Sequence, residues 1–235
     1  MTLYQQIWHG DSRELCQKFK TGRVNCIITD PPFGVDNQSN QAVTPEGKKH
    51  ARKIAHDEDL QAAFKIFTEV MGVLLPRTSP ECDLYVFTSG EVLADWILFL
   101  EDYERVGYRR KAILVWEKEG PGMGDTDSWG QGHEFVLYLK KGNRPLSGPR
   151  RNGVIHIPQV RPAQLIHPHE KPEGLYELFI KASTDKGDLI VDPFGGSGVL
   201  ARAARNTERS GISIELNNDN ASLAQKKFDQ VDLFS

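Results

Sequence analysis

No run of apolar residues in this chain approaches the ~18 that a membrane-spanning helix needs, which excludes such a segment. The opening residues, MTLYQQIWHGDSRE, show no basic start followed by an apolar stretch, so no secretory signal is expected. Cysteine is scarce: Cys16, Cys26 and Cys82 are an odd number at spacings that fit neither a disulfide framework nor a metal pattern. Reduced thiols and a cytoplasmic location follow as expectations. No sign of charge dominates, with 29 Lys plus Arg against 32 Asp plus Glu and a net charge of −3. That excludes a wholly basic, histone-like nucleic-acid binder but leaves room for a local basic groove. There is no G-x-x-x-x-G-K-[ST] loop and no G-x-G-x-x-G, so neither phosphate fingerprint is present. Internal repeats and low-complexity tracts are absent too. His167, His169 and Glu170 sit among prolines and read as a structural turn, and His133-Glu134 lacks the second His of a zinc-binding helix. No metal site is expected.

What is there is an ordinary globular composition, 39% hydrophobic and 26% charged over 235 residues, enough to bury a core in one domain spanning 1–235. Strands are expected at Tyr4–Trp8, Val24–Thr29, Asp83–Thr88, Ala112–Trp116, Glu134–Lys140, Asp188–Val191 and Gly211–Ile214. Helical spacing marks Asp59–Leu75, Glu91–Tyr103, Glu173–Ser183, Val199–Arg205 and Asn217–Phe228. Residues 34–58 are mostly polar and read as a long mobile loop. Asn143–Gln164 reads as loop throughout. Strands alternating with helices point to an α/β fold with a mostly parallel sheet, and the 112–140 hairpin would add an antiparallel edge.

Two strands end in an acidic-Pro step, and in such sheets ligands bind beyond the carboxyl ends of strands. The later one runs into Asp192-Pro193-Phe194-Gly195-Gly196-Ser197-Gly198 and then a helix. Its glycines admit a ligand close to the backbone, and the helix start offers free N–H groups. Glu215 lies about 20 residues further on, where a carboxylate suits the vicinal hydroxyls of a ribose. Without the pyrophosphate fingerprint, a nucleoside lacking phosphates fits best. The earlier step is Asp30-Pro31-Pro32-Phe33, a rigid extended turn. Asp30 and the Pro31 carbonyl can accept hydrogen bonds, and Phe33 offers a flat stacking face. Together they suit a planar base with an exocyclic amino group.

DPPF at 30–33 with DPFGGSG at 192–198 resembles the S-adenosylmethionine-dependent DNA amino-methyltransferases. The catalytic loop precedes the cofactor loop, which is similar to the circularly permuted beta group of that family. His9-Gly10-Asp11-Ser12, Leu84–Thr88, Val115–Lys118 and His167-Pro168-His169-Glu170-Lys171-Pro172 resemble further family segments in the same order. Phe33 departs from the more usual Tyr, and the recognition region is short. The resemblance implies a single-domain Rossmann-like fold with a seven-stranded sheet, and S-adenosylmethionine as cofactor.

It also implies roles. Asp30, Pro31, Pro32 and Phe33 would be catalytic, accepting the N–H bonds of a flipped-out adenine and stacking on it. Asp192, Phe194, Gly195, Gly196, Ser197 and Gly198 would hold the methionine end of the cofactor, and Glu215 its ribose. Asp11 would meet the adenine end or else cap a helix starting near Ser12. Lys171 would meet the cofactor carboxylate or a phosphate. DNA would be gripped by Arg144, Arg150, Arg151 and Arg161, in a 141–166 recognition segment with no acidic residue up to Arg161, and by Lys48, Lys49, Arg52 and Lys53. Restriction–modification is the implied setting, with a homodimer admitted and no cognate endonuclease specified. Cytosine N4 is the alternative target. An RNA- or protein-modifying enzyme, and a non-catalytic nucleotide- or NAD-binding protein, stand further off.

Overall fold

The computed structural model describes residues 3–35, 59–120, 127, 129–161, 165 and 170–231. Its strands are β1 (Gln5–His9), β2 (Val24–Thr29), β3 (Thr78–Thr88), β4 (Tyr108–Glu117), β5 (His133–Lys141), β6 (Val154–His156), β7 (Leu189–Asp192) and β8 (Ser210–Glu215). The helices are α1 (Ser12–Leu15), α2 (Leu60–Leu74), α3 (Leu93–Glu101), α4 (Glu173–Ser183), α5 (Val199–Asn206) and α6 (Asn218–Val231). One sheet contains all these strands in the order β1-β8-β7-β2-β3-β5-β4-β6.

β2 is buried along almost its whole length, as a central strand covered on both faces must be. Alternation along it divides the core. Ile27, with Leu84 and Val86 of β3, packs under Phe67, Met71 and Leu74 of α2 and Trp96 of α3. Cys26 and Ile28, with Tyr85 and Phe87 of β3, face the opposite layer, where Tyr176, Phe179 and Ile180 of α4 meet Leu200 and Ala203 of α5. α2 starts where expected because the Asp59 side chain accepts the Ala62 N–H at 2.8 Å, a cap of about 1 kcal/mol.

The sheet has eight strands rather than seven. The additional one, β6, lies inside the stretch expected to be loop. Three residues are too few to show a period. It is held from outside, through Val115 N–H to Gly153 O at 2.8 Å and Trp116 Nε1–H to Ile157 O at 2.7 Å. The hairpin of β4 and β5 therefore does not form the edge. β5 inserts between β3 and β4, antiparallel to both, and β6 closes the sheet beside β4 in parallel.

The strand order fixes where a ligand can sit. From β7 the chain crosses through α5 to β8 on one side; from β2 it crosses through α2 to β3 on the other. The order thus reverses between the neighbours β7 and β2. Both acidic-Pro turns leave that boundary on the same side of the sheet.

Candidate active site

Asp30 follows the last residue of β2, Asp192 ends β7, and Glu215 ends β8, so three carboxylates line one edge. β1 pairs with β8 in the register His9↔Glu215, and Gly10 N–H donates to Glu215 O at 2.9 Å. The His-Gly-Asp-Ser step therefore reaches the same crevice, where Ser12 Oγ donates to Pro193 O at 2.5 Å. Asp11 caps α1 through the Arg13 N–H at 2.8 Å and also holds the Arg13 guanidinium. The capping role is the one visible in these contacts.

The glycine loop is tightly built. Gly195 N–H donates to Ile214 O at 2.7 Å, and a Cβ on Gly195 would lie 2.9 Å from Ile214 N, so the loop presses directly on β8. Gly196 differs: its φ is +48°, and no atom lies within 4 Å of where a Cβ would stand. Open space therefore begins at Gly196, next to the Glu215 carboxylate. Glu215 accepts from Gly196 N–H at 2.8 Å and from Asn217 N–H at 2.7 Å. Burial raises its pKa against the pull of those two donors. Asp192 is buried, and desolvation lifts its pKa from 3.8 to about 7 although Phe194 N–H donates to it at 3.0 Å. Phe194 is half-buried and lies parallel to Phe67, with ring centroids 6.3 Å apart.

Sequence reasoning did not foresee how this loop is pinned. Arg202 of α5 is 1% exposed, donates to Ser197 O at 2.7 Å and pairs with Glu170 at 2.7 Å and Glu173 at 2.6 Å. An arginine among buried alanines of a short helix was the signal available.

At the other turn, Pro31 is buried, Phe33 is half-buried against both core layers, and the Phe33 carbonyl accepts from Trp96 Nε1 at 3.4 Å. The Asp30 carboxylate meets Lys171 at 2.6 Å. Lys171, just ahead of α4, is 4% exposed and also reaches Glu134 at 3.2 Å, with its ammonium 5.2 Å from the Phe87 ring centroid. Glu134 in turn holds Lys118 at 2.5 Å. β5 runs opposite to β3, with Phe135 facing Thr88, so Glu134 near its start stands at the carboxyl edge. Burial opposes the Lys171 charge, but Asp30 and Glu134 outweigh it and hold its pKa above the usual lysine value. Burial likewise opposes the Glu134 charge, and the two lysines overcome that and lower its pKa. Two carboxylates and two ammonium groups thus balance in one row, partly exposed at Asp30, Glu134 and Lys118 and buried at Lys171. Glu134 and Lys118 carried no role in the sequence reading, and Lys171, expected to meet the cofactor carboxylate or a phosphate, pairs with Asp30 and Glu134.

Among the expected DNA contacts, Arg144 is turned away from the crevice. It pairs with Asp185 at 2.7 Å and with Asp188 at 3.1 Å, next to the amino end of β7, because β5 delivers the chain to that side. Arg151 is exposed and donates to Ser147 O at 2.8 Å. Arg150 and Arg161 are exposed, and Arg161 follows the carboxyl end of β6. Lys48, Lys49, Arg52 and Lys53, with most of the 34–58 loop, lie outside the described residues, as do His167 and His169. No group of three or more metal-ligating side chains occurs among the described residues.

Comparison with known proteins agrees with this geometry. A family model described as DNA methylase, the N6/N4 methyltransferases, matches residues 24–226. M.HpaI, a type II methyltransferase of Haemophilus parainfluenzae, is 24% identical over 249 residues, which cover 93% of this chain and 74% of that protein. YhdJ, a DNA adenine methyltransferase of Escherichia coli K12, is 24% identical over 265 residues, covering 97% and 84%. The fold is shared with the M1.HpyAVI–SAM complex (TM-score 0.69, 23% identity, 95% of this chain and 98% of that one). It is also shared with the cytosine-N4-specific PvuII DNA methyltransferase (TM-score 0.75, 17% identity, 97% and 87%). With the match extending from β2 into α6, the chain belongs to the DNA methylase family.

Proposed function

We propose that the protein is a site-specific DNA adenine methyltransferase, acting with S-adenosylmethionine on the exocyclic N6 amine of a flipped-out base. The observation that carries this reading is the pairing of the two acidic-Pro turns at the β7–β2 boundary, one beside an open glycine loop and the other presenting an anchored carboxylate. The residues suit the cofactor. Gly196 opens onto unfilled space, Glu215 accepts from two backbone N–H groups and the Asn220 side chain and keeps acceptor capacity for a ribose hydroxyl, and Phe194 lends an apolar face. When bound, S-adenosylmethionine supplies an electrophilic methyl group.

The chain's own residues do the rest. An exocyclic amine is a poor nucleophile because its lone pair is delocalised into the ring. Asp30 and the Pro31 carbonyl accept its two N–H bonds, which favours a pyramidal nitrogen with the lone pair turned out of the ring plane. Positive charge grows on that nitrogen during transfer, so both acceptors help the transition state more than the ground state. Phe33 stacks on the extruded base, and the rigid Pro-Pro turn keeps acceptors and ring in fixed relation. No covalent enzyme intermediate is needed, and the three buried thiols are unsuited to one: burial pushes Cys16 and Cys82 up to about 12.

An aspartate opening the DPPF turn and the adenine specificity of YhdJ support adenine over cytosine. The type II relatives support a restriction–modification setting. A homodimer and a cytoplasmic location belong to the same reading, and no helix among the described residues is long and apolar enough to cross a membrane. The deciding experiment is transfer of labelled methyl from S-adenosylmethionine to unmethylated DNA, followed by nucleoside mass spectrometry. N6-methyladenine is expected. N4-methylcytosine would move the base, and unlabelled DNA would overturn the reading.

A further inference from the structure

We propose that Lys171 and Glu134 are positioning residues for the methyl-accepting site: Glu134, braced by Lys118, fixes the Lys171 ammonium, and Lys171 fixes the Asp30 carboxylate that receives the amine. The inference rests on the function proposed above and deepens it.

Three features of the row carry it. First, the contacts run end to end, from Lys118 to Glu134 at 2.5 Å, from Glu134 to Lys171 at 3.2 Å, and from Lys171 to Asp30 at 2.6 Å. Second, the Lys171 ammonium is enclosed. Asp30 faces it from the β2 turn, Glu134 from β5 and the Phe87 ring from β3, and the buried Tyr176 of α4 stacks behind Phe87 with ring centroids 5.7 Å apart. At 4% exposure it has two carboxylate partners, so serving a cofactor carboxylate would require breaking a buried pair. Third, two partly exposed carboxylates face one buried ammonium. Without the ammonium between them the two carboxylates would repel and turn apart. An Asp30 carboxylate turned from its place would no longer meet the amine. Lys171 therefore keeps the Asp30 carboxylate in place, and Glu134 keeps Lys171 from drifting.

Glu134→Gln replaces one carboxylate oxygen by an NH2 group that must face one of the two lysines. Tilting the row by a fraction of an ångström would misplace the acceptor, with a loss of about 10- to 100-fold in kcat. S-adenosylmethionine affinity should stay within about twofold, since its proposed ligands lie across the β7–β2 boundary.

The test compares wild type, Glu134→Gln, Lys171→Met and the double variant in single-turnover and steady-state methyl transfer to DNA, with calorimetric binding of S-adenosylmethionine alone. Expected are a fall in kcat with unchanged cofactor affinity in both single variants, and a double variant no slower than Lys171→Met within about twofold, as for residues acting in one chain. A thermal melt reports folding. If Glu134→Gln does not fold, Lys118→Met, altered at the 19%-exposed end of the row, carries the test. A several-fold kcat loss with unchanged cofactor affinity supports the proposal, and wild-type kcat overturns it. Wild-type kcat in Glu134→Gln also overturns it, as does a Lys171→Met variant that binds S-adenosylmethionine weakly but turns over normally at saturation. A wild-type protein that binds the cofactor yet labels no DNA overturns the functional reading, and this proposal with it.

Discussion

The Glu215 carboxylate bridges two backbone donors, Gly196 N–H at 2.8 Å and Asn217 N–H at 2.7 Å, and so ties the end of β8 to the glycine loop. An amide in its place keeps one of these bonds and turns an NH2 group against the other N–H. Glu215→Gln is expected to weaken S-adenosylmethionine binding about 10- to 100-fold, the worth of one charge-assisted bond, while kcat at saturating cofactor stays within about threefold. Calorimetry and steady-state kinetics read the two quantities separately.

Asp30→Ala removes the acceptor that gains most as charge develops on the amine. Transfer should fall by at least about 100-fold, with cofactor binding retained. Because Lys171 still holds Glu134, the folded state should survive, which a thermal melt with and without S-adenosylmethionine checks.

Asp192 inverts the usual pH behaviour of a carboxylate. Its pKa rises from 3.8 unfolded to about 7 folded because it is buried. Below pH 3.8 both states hold the proton and the group contributes no difference. Between 3.8 and about 7 the folded protein keeps a proton that the unfolded chain has released, so stability falls as pH rises, and above that window the penalty is constant. Asp192→Asn should therefore raise Tm at pH 8, with the gain disappearing as pH approaches 4. Melting curves across that range decide it, and a constant difference would refute the assignment.

Gly195→Ala would place a methyl 2.9 Å from Ile214 N and 3.0 Å from Ile214 O, both backbone atoms that cannot rotate aside. A stability loss of about 1–3 kcal/mol is expected, and denaturant unfolding measures it.

How far the sequence reached depended on the kind of signal. β2 and α4 match their expected bounds because an unbroken buried strand and a helix with Pro172 ahead of it are written locally. The two acidic-Pro turns were legible as chemistry for the same reason. β6 was not legible, since its three residues exist as a strand only through β4. Nor were the partners of Lys171: Asp30 is 141 positions away, and Glu134 arrives from a strand whose direction no local pattern reveals. The basic residues after Lys140 were expected to grip DNA, but the chain turns within the stretch and Arg144 pairs with Asp188 beside the amino end of β7.

That division predicts unlike effects for two arginines. Arg161→Ala is expected to weaken DNA binding and to reduce the slope of log K against log salt by about 1, as for one lost phosphate contact. Arg144→Ala should leave that slope unchanged and lower stability by roughly 0.5–1 kcal/mol, the worth of part-exposed ion pairs. Salt titrations and melts on the same two proteins separate the outcomes.

Because β5 runs against its neighbours, the connection between β4 and β5 both leaves and re-enters on the crevice side. Its length and composition can change without disturbing β7, β8 or the glycine loop, which lie across the β2–β3 pair. The central β2–β3 pair thus stands between the strands that carry the proposed methyl-donor site and the strands that carry this connection, so the two can be altered in separate variants.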